Sequence, residues 1–421
     1  MLDRIGPSVE VHMRSPFTTI PGARNARTAT LLVAMFAVAT GCATAQPKTN
    51  YVWPVPPETP RVRYLRSFAS TDDLKPSFGR KLLNAIFPHD ARAQIISPLG
   101  LALSPDERTL YVACGASGRV AAVDLDRRVI DLVGIDQKPA PVSPVGVAVD
   151  GEGNIYTSDR IGNAILVYSP KRVFLRKIGE GTLERPTAIA IDRRAQLLYV
   201  INGATRQQSQ HRVEVFALSG KHLRTIGKRG AAAGEFNFPS AVSVAPDGSL
   251  YVADMLNFRI QKFDREGVLV SMFGENGNGK MGAFDKAKGI GFDTFGNVYV
   301  ADSMQGVQIF NAEHQPLLAF GAPPFMNVPG AILLDSKNHI FVTDFGLNRV
   351  HEFQLINTTA ADSTLPQSDK PAKASAPGVA PGQTDPNPAT LSPATPADKP
   401  SASPTIPVDQ SAASTLAAPV Q

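Results

Sequence analysis

Two cysteines and seven histidines are the side chains of this 421-residue chain best suited to metal ligation or nucleophilic attack. Either chemistry needs several such groups to converge, and their spacing does not bring them together. Neither a Cys-x-x-Cys-His haem attachment nor a cysteine cluster occurs, so a redox carrier is not expected. Cys114 ends the stretch Tyr111-Val-Ala-Cys114, where similar stretches carry Asp or Asn, and it reads as a small buried residue with no base in sight. His211, His222, His314, His339 and His351 fall on different loops and strands. Asp159, Asp254, Asp302 and Asp344 recur at one position of a repeated phrase. A catalytic residue would not be expected to repeat, so they read as turn caps. Asp150, Asp192, Asp293 and Asp335 read as turn formers. No catalytic residue, metal ligand or cofactor is expected from these patterns.

The elements that position these residues are clearest between Pro239 and Gly274. Val242–Ala245, Leu250–Asp254, Arg259–Phe263 and Val268–Phe273 are four short β-rich runs joined by Asp/Gly turns, which predicts an antiparallel meander. Its second run recurs as Tyr111-Val-Ala-Cys114, Tyr156-Thr-Ser-Asp159, Tyr199-Val-Ile-Asn202, Tyr251-Val-Ala-Asp254, Tyr299-Val-Ala-Asp302 and Phe341-Val-Thr-Asp344. Successive aromatics are 42 to 52 residues apart. Four strands per unit at that period predict an all-β fold, a six-bladed β-propeller. The Pro that opens an apolar strand, the Tyr-Val-Ala-Asp strand and the Asn257-Phe-Arg259-Ile260 turn resemble the NHL-repeat family over residues 61–356. The resemblance implies the fold and leaves the activity open, because propellers host many functions.

Inner strands are expected at Leu99–Leu103, Val145–Val149, Thr187–Ile191, Ser240–Val244, Lys288–Phe292 and Gly330–Leu334. The last unit has three strands before the composition changes. Arg61–Phe68 alternates with period two and lacks a neighbouring partner, so it should return as the fourth strand of the last blade and close the ring. Residues 78–87 carry apolar side chains at helical spacing and read as one short amphipathic helix. Strand parity sorts the turns onto two faces. First-to-second and third-to-fourth turns are tight; second-to-third turns and blade-to-blade links are long and varied. Repeat proteins place such insertions on the binding face. The candidate partner surface is therefore Arg206, Gln207, Lys228, Arg229, Met255, Phe258, Lys280, Met304 and Phe345.

Outside the ring, Arg24 and Arg27 precede the uncharged apolar run Leu31–Ala39, which reads as an export signal over residues 1–41. Ala39-Thr40-Gly41-Cys42 resembles the bacterial lipoprotein lipobox, which implies lipidation at Cys42. Ala43 rather than Asp follows, which in Gram-negative lipoproteins implies the outer membrane. Residues 42–60 read as a Pro-rich tether and 357–421 as a disordered Pro/Ala/Ser/Thr-rich tail. Parity expects tether and tail to leave on the tight-turn side.

The formal net charge of +5 and the export signal argue against nucleic-acid binding. The expected function is a monomeric, membrane-anchored cell-envelope module that holds an envelope protein or polymer on its long-loop face. The alternative comes from propellers of similar fold, which include metal-dependent lactonases and a zinc lyase. It implies a hydrolase or lyase with acidic, Asn or His ligands converging on the axial channel.

Overall fold

Alternating apolar residues in short runs between Asp/Gly turns make sheets with two apolar faces, and each sheet needs a neighbour on both sides. The computed structural model satisfies this with six antiparallel sheets arranged as a β-propeller. It describes residues 51–74, 93–134, 136–203, 210–277 and 279–356. The signal segment, Cys42, the helix expected at 78–87, Arg206, Gln207 and the tail lie outside the described residues.

Blade 1 runs Pro98–Leu103, Thr109–Cys114, Arg119–Asp124 and Val129–Val133. Blades 2 to 6 begin with inner strands Pro144–Val149, Ile189–Asp192, Pro239–Val244, Ala287–Phe292 and Pro329–Leu334. Six apolar clusters occupy the six seams, each drawing side chains from two neighbouring blades. The core is thus a ring of interfaces. Around the axis the inner strands come very close. A Cβ on Gly146 would meet Thr187 O at 2.6 Å, and one on Gly289 would meet Gly330 O at 2.2 Å, so these positions admit only hydrogen.

Closure follows the alternation of residues 61–68. Val62–Phe68 pairs antiparallel with Arg349–Leu355 as the fourth strand of blade 6, and Ile356 N–H donates to Arg61 O at 2.8 Å. Arg61 and Ile356 therefore meet at the tight-turn edge. A bulge at Leu65 shifts the register between Tyr64 and Arg66 and reverses which face the side chains take. Val62 consequently packs into the seam with blade 5, and Phe68 into the seam with blade 1. The outer strands of blades 2 to 5 carry the same register shift.

The tether is where the structure departs from expectation. Val52–Trp53 pairs with the start of Val62–Phe68 as a fifth strand, so this part of the expected tether is a strand on the rim of blade 6. The reason is aromatic. Trp53, the chain's one tryptophan, packs edge-on against Phe325 and Phe353, and Tyr51 against Phe325 and Tyr64, with ring centroids 5.1 to 6.2 Å apart. Proline content concealed these two anchors.

Candidate functional site

The inner strands enclose an axial channel of about 730 Å³. Its walls are small or branched apolar residues such as Val145, Ile189, Ala241 and Ile290. Charged side chains stand at its two mouths. On the tight-turn side Arg193 bridges blades, donating from Nε to Val149 O at 3.0 Å and from Nη2 to Leu103 O at 2.9 Å. Glu107 on the same side accepts from Ser336 N–H at 3.0 Å and from the Ser336 hydroxyl. On the long-loop side the mouth is lined by Arg160, Lys288, Met255 and Phe345. Lys288 is held below the usual lysine range, first by desolvation and then by the charge of Lys286.

This channel does not fit a metal-dependent lactonase or lyase. Among the described residues Glu107 is its one lining carboxylate, none of its lining residues is His or Cys, and Glu107 is already engaged. Among the described residues no group of three His, Cys, Asp or Glu side chains is placed to hold a metal ion.

The five described histidines are spent on structure. His211 Nδ1 accepts from Phe238 N–H at 3.1 Å, tying blade 3 to the link entering blade 4. Asn163 and Asn348 make the equivalent ties, each accepting at 2.8 Å from Arg185 N–H and Ser97 N–H. His222 lies 2.8 Å from the buried Glu214, and His339 lies 2.7 Å from Asp335. His314 stacks on Phe273 with centroids 4.3 Å apart, and His351 lies 3.4 Å from Asp344. Cys114 is fully buried, and burial pushes its thiol up to about 11, which makes it an inert core residue.

The repeated Asp residues cap as their recurrence suggested. Asp302 accepts from Asp285 N–H and Lys286 N–H at 2.8 Å each, and Asp344 accepts from Asn327 N–H at 2.8 Å and Val328 N–H at 3.1 Å. Each one fastens the incoming link to its own blade. Burial alone pushes Asp344 up, but His351 and the N–H groups of Asn327, Val328 and Leu347 outweigh it and bring the carboxyl down to about 2. At Asp254 burial wins over Asn237, Asn257 and Arg259 and keeps the carboxyl above its usual range. Asp150 and Asp293 sit in the tight turns and each accept a tyrosine hydroxyl, from Tyr156 at 3.1 Å and Tyr299 at 3.2 Å.

The long-loop face is built from these fastened links. Met304 is 51% and Phe345 46% exposed, as a surface role requires. Met255 is half-buried at the channel mouth. Phe258 is half-buried with φ 55°, a left-handed conformation that ends a 3-10 turn, so its role is largely structural. Lys228 and Lys280 are exposed but pair within their own loops, with Glu235 at 3.3 Å and with Glu275. Arg229 is exposed in the first of these loops. Sequence reasoning missed Val142, Ile161 and Leu347 on this face; Val142 and Ile161 are 58% and 60% exposed. Their signal was an apolar residue inside a turn, on the face assigned by parity. Among the described residues, eight large exposed apolar side chains lie on this face: Ile96, Val142, Ile161, Leu256, Met281, Met304, Phe345 and Leu347. Four lie on the opposite face: Val55, Val173, Val268 and Phe295.

Comparison with known proteins agrees with this architecture. Residues 88–204 match the SMP-30/Gluconolactonase/LRE-like region and residues 236–263 match the NHL repeat. The chain is thus a six-bladed β-propeller carrying NHL-repeat and SMP-30/gluconolactonase-like sequence. Over 127 residues it is 31% identical to Protein brain tumor of Drosophila melanogaster, which is 30% of this chain and 12% of that protein. Over 132 residues it is 30% identical to the B-box type zinc finger protein ncl-1 of Caenorhabditis elegans, which is 31% of this chain and 15% of that protein. The chain thus spans less than a sixth of either relative. A gluconolactonase structure from Xanthomonas campestris is 18% identical over 61% of this chain and 86% of its own, with a TM-score of 0.49. A virginiamycin B lyase structure from Staphylococcus aureus is 14% identical over 62% of this chain and 80% of its own, with a TM-score of 0.46. These two likenesses are at the level of fold.

Proposed function

We propose that this propeller is a protein-docking module of the bacterial cell envelope, tethered by a lipid on Cys42, which takes an envelope protein on its long-loop face. The observation that carries the reading is the concentration of exposed apolar tips on that face, from Val142 and Ile161 on one side of the ring to Met304 and Phe345 on the other. Apolar and aromatic tips held by rigid scaffolds are favourable anchors for a partner, because they lose little conformational entropy on binding. Hydrogen bonds brace the loops that bear them: Val142 N–H and Ile161 N–H donate to Asp159 at 2.8 and 3.2 Å, Met304 N–H donates to Asp302 at 2.9 Å, and Phe345 N–H donates to Val328 O at 3.0 Å. The neighbouring links after blades 3 and 4, the second of which bears Met281, are closed by Phe236 N–H donating to Lys228 O and Phe284 N–H donating to Glu275 O, each at 2.8 Å. The described chain starts at the outer edge of blade 6, away from the ring axis, which suits an anchor that keeps the face free. The match of residues 88–204 to the SMP-30/Gluconolactonase/LRE-like region raises a hydrolase as the competing reading; against it, the described lining residues include one carboxylate, Glu107, and neither His nor Cys.

The test is crosslinking followed by affinity capture from intact cells, with wild type beside a variant carrying Ile161→Asp, Met304→Asp and Phe345→Asp. All three positions are exposed, so folding should be retained. A co-purifying envelope protein lost in this variant, and kept when Val268 and Phe295 on the opposite face become Asp, supports the reading. Identical partners for both variants would discard the long-loop face. Metabolic labelling with a lipid precursor, compared between wild type and Cys42→Ala, tests the anchor separately.

A further inference from the structure

The long-loop mouth of the axial channel carries two cations that the fold leaves unmatched. Lys288 lies on the inner strand of blade 5, and Arg160 lies on the second-to-third turn of blade 2. In a six-membered ring those blades stand opposite one another, so the two residues line one opening from opposite sides. Lys288 has no hydrogen-bond or ion-pair partner among the described residues. The carboxylate that acts on it, Asp302, is committed to the backbone N–H groups of Asp285, Lys286 and Met304. Lys286 adds a further positive charge nearby. Arg160 Nη2 donates to Ser143 Oγ across 3.4 Å, and its buried Nε has no acceptor. At the far mouth the charges are engaged, Arg193 on two carbonyls and Glu107 on Ser336. Holding cations beside apolar walls without a direct ion-pair partner costs free energy, which a bound anion would offset. The channel volume falls within the usual range for small-molecule sites.

We propose that the axial channel binds an amphipathic organic acid, a single carboxylate on a short alkyl or aryl body, with the headgroup between Lys288 and Arg160 and the body along Val145, Ile189, Ala241 and Ile290. One cation from each side and apolar walls match a monoanion with an apolar body. A polyphosphate would need several donors around each phosphate. This site is separate from the protein-docking reading, which rests on the exposed tips outside the mouth.

The test is isothermal titration calorimetry on the purified full chain with octanoate as probe, and with octylamine as its cationic counterpart. Octanoate should bind the wild type below millimolar concentration and raise its melting temperature. Lys288→Met and Arg160→Gln should each weaken binding by at least about tenfold, the loss expected for one charge-assisted contact. Octylamine should give no heat. Val268→Asp, which alters the opposite face alone, should bind octanoate as the wild type does. Lys288→Met removes an unpaired charge, so its melting temperature should not fall; if it does fall, Arg160→Gln carries the same prediction. Equal octanoate affinity in wild type and both channel variants would overturn the site. So would octylamine binding as tight as octanoate, or no octanoate binding to the wild type at millimolar concentration.

Discussion

Replacing Phe68 with alanine should loosen the ring at the seam between its last and first blades. Phe68 is 1% exposed and packs among Leu103, Leu110, Val112 and Ile130 of blade 1 and Phe341 and Val350 of blade 6. Truncating a fully buried phenylalanine costs about 3–5 kcal/mol, from lost transfer energy and from the cavity left behind. For a domain of this size each kcal/mol lowers the melting temperature by roughly 2–4 °C, so the fall should be roughly 6–20 °C. Leu65 on the same strand supplies the control. It sits at the bulge, is 38% exposed, and its change to alanine should stay within about 0.5 kcal/mol. Differential scanning calorimetry on both variants reads the contrast directly. Equal and small shifts would refute the reasoning, because a strand that is not wedged into both seams would not distinguish Phe68 from Leu65.

Gly146→Ala should destabilise by about 1–3 kcal/mol, since its Cβ would press on the backbone of blade 3, whereas Gly151→Ala meets nothing within 4 Å; urea midpoints that do not differ would count against the close approach of inner strands. Asp254→Ala should cost about 3–5 kcal/mol in chemical denaturation, because Arg259, 2.9 Å away, loses its carboxylate partner and keeps only neutral acceptors, and the N–H of Asn237 loses its acceptor in a buried site. Asp344 has a folded-state pKa of about 2, below its unfolded value, so its contribution is full above about pH 4 and is lost as pH falls through about 2. That contribution is about 2 kcal/mol, and Asp344→Asn should flatten the stability profile in this window; an unchanged acid limb would reject it. Asp254 acts in the opposite sense, because its raised pKa favours the protonated folded form, so the Asp344 effect is best read against an Asp344→Asn variant in the same buffers.

Much of this protein follows from the one-dimensional pattern alone. The recurring aromatic-Val-Ala-Asp strand sets the blade count, because each four-stranded sheet has two apolar faces that only copies of itself can cover. The alternation of residues 61–68 and the missing fourth strand of the last unit set the closure. Parity assigned each turn to a face, since connections in an antiparallel meander must alternate. Recurrence marked Asp159, Asp254, Asp302 and Asp344 as caps, and their hydrogen bonds to the incoming links are what recurrence implied.

Tertiary structure decided what pattern could not carry. Whether Tyr51 and Trp53 belong to a tether or a strand depends on Phe325 and Phe353, some 270 to 300 positions away along the chain. Whether Lys228 and Lys280 are free to meet a partner depends on Glu235 and Glu275, which their own loops fold back to reach. The pairing of Lys288 with Arg160 across the mouth has no sequence signature at all. A lysine at the head of an inner strand and an arginine in a turn are ordinary in isolation. They come to share one opening because six blades close into a ring and set the second opposite the fifth.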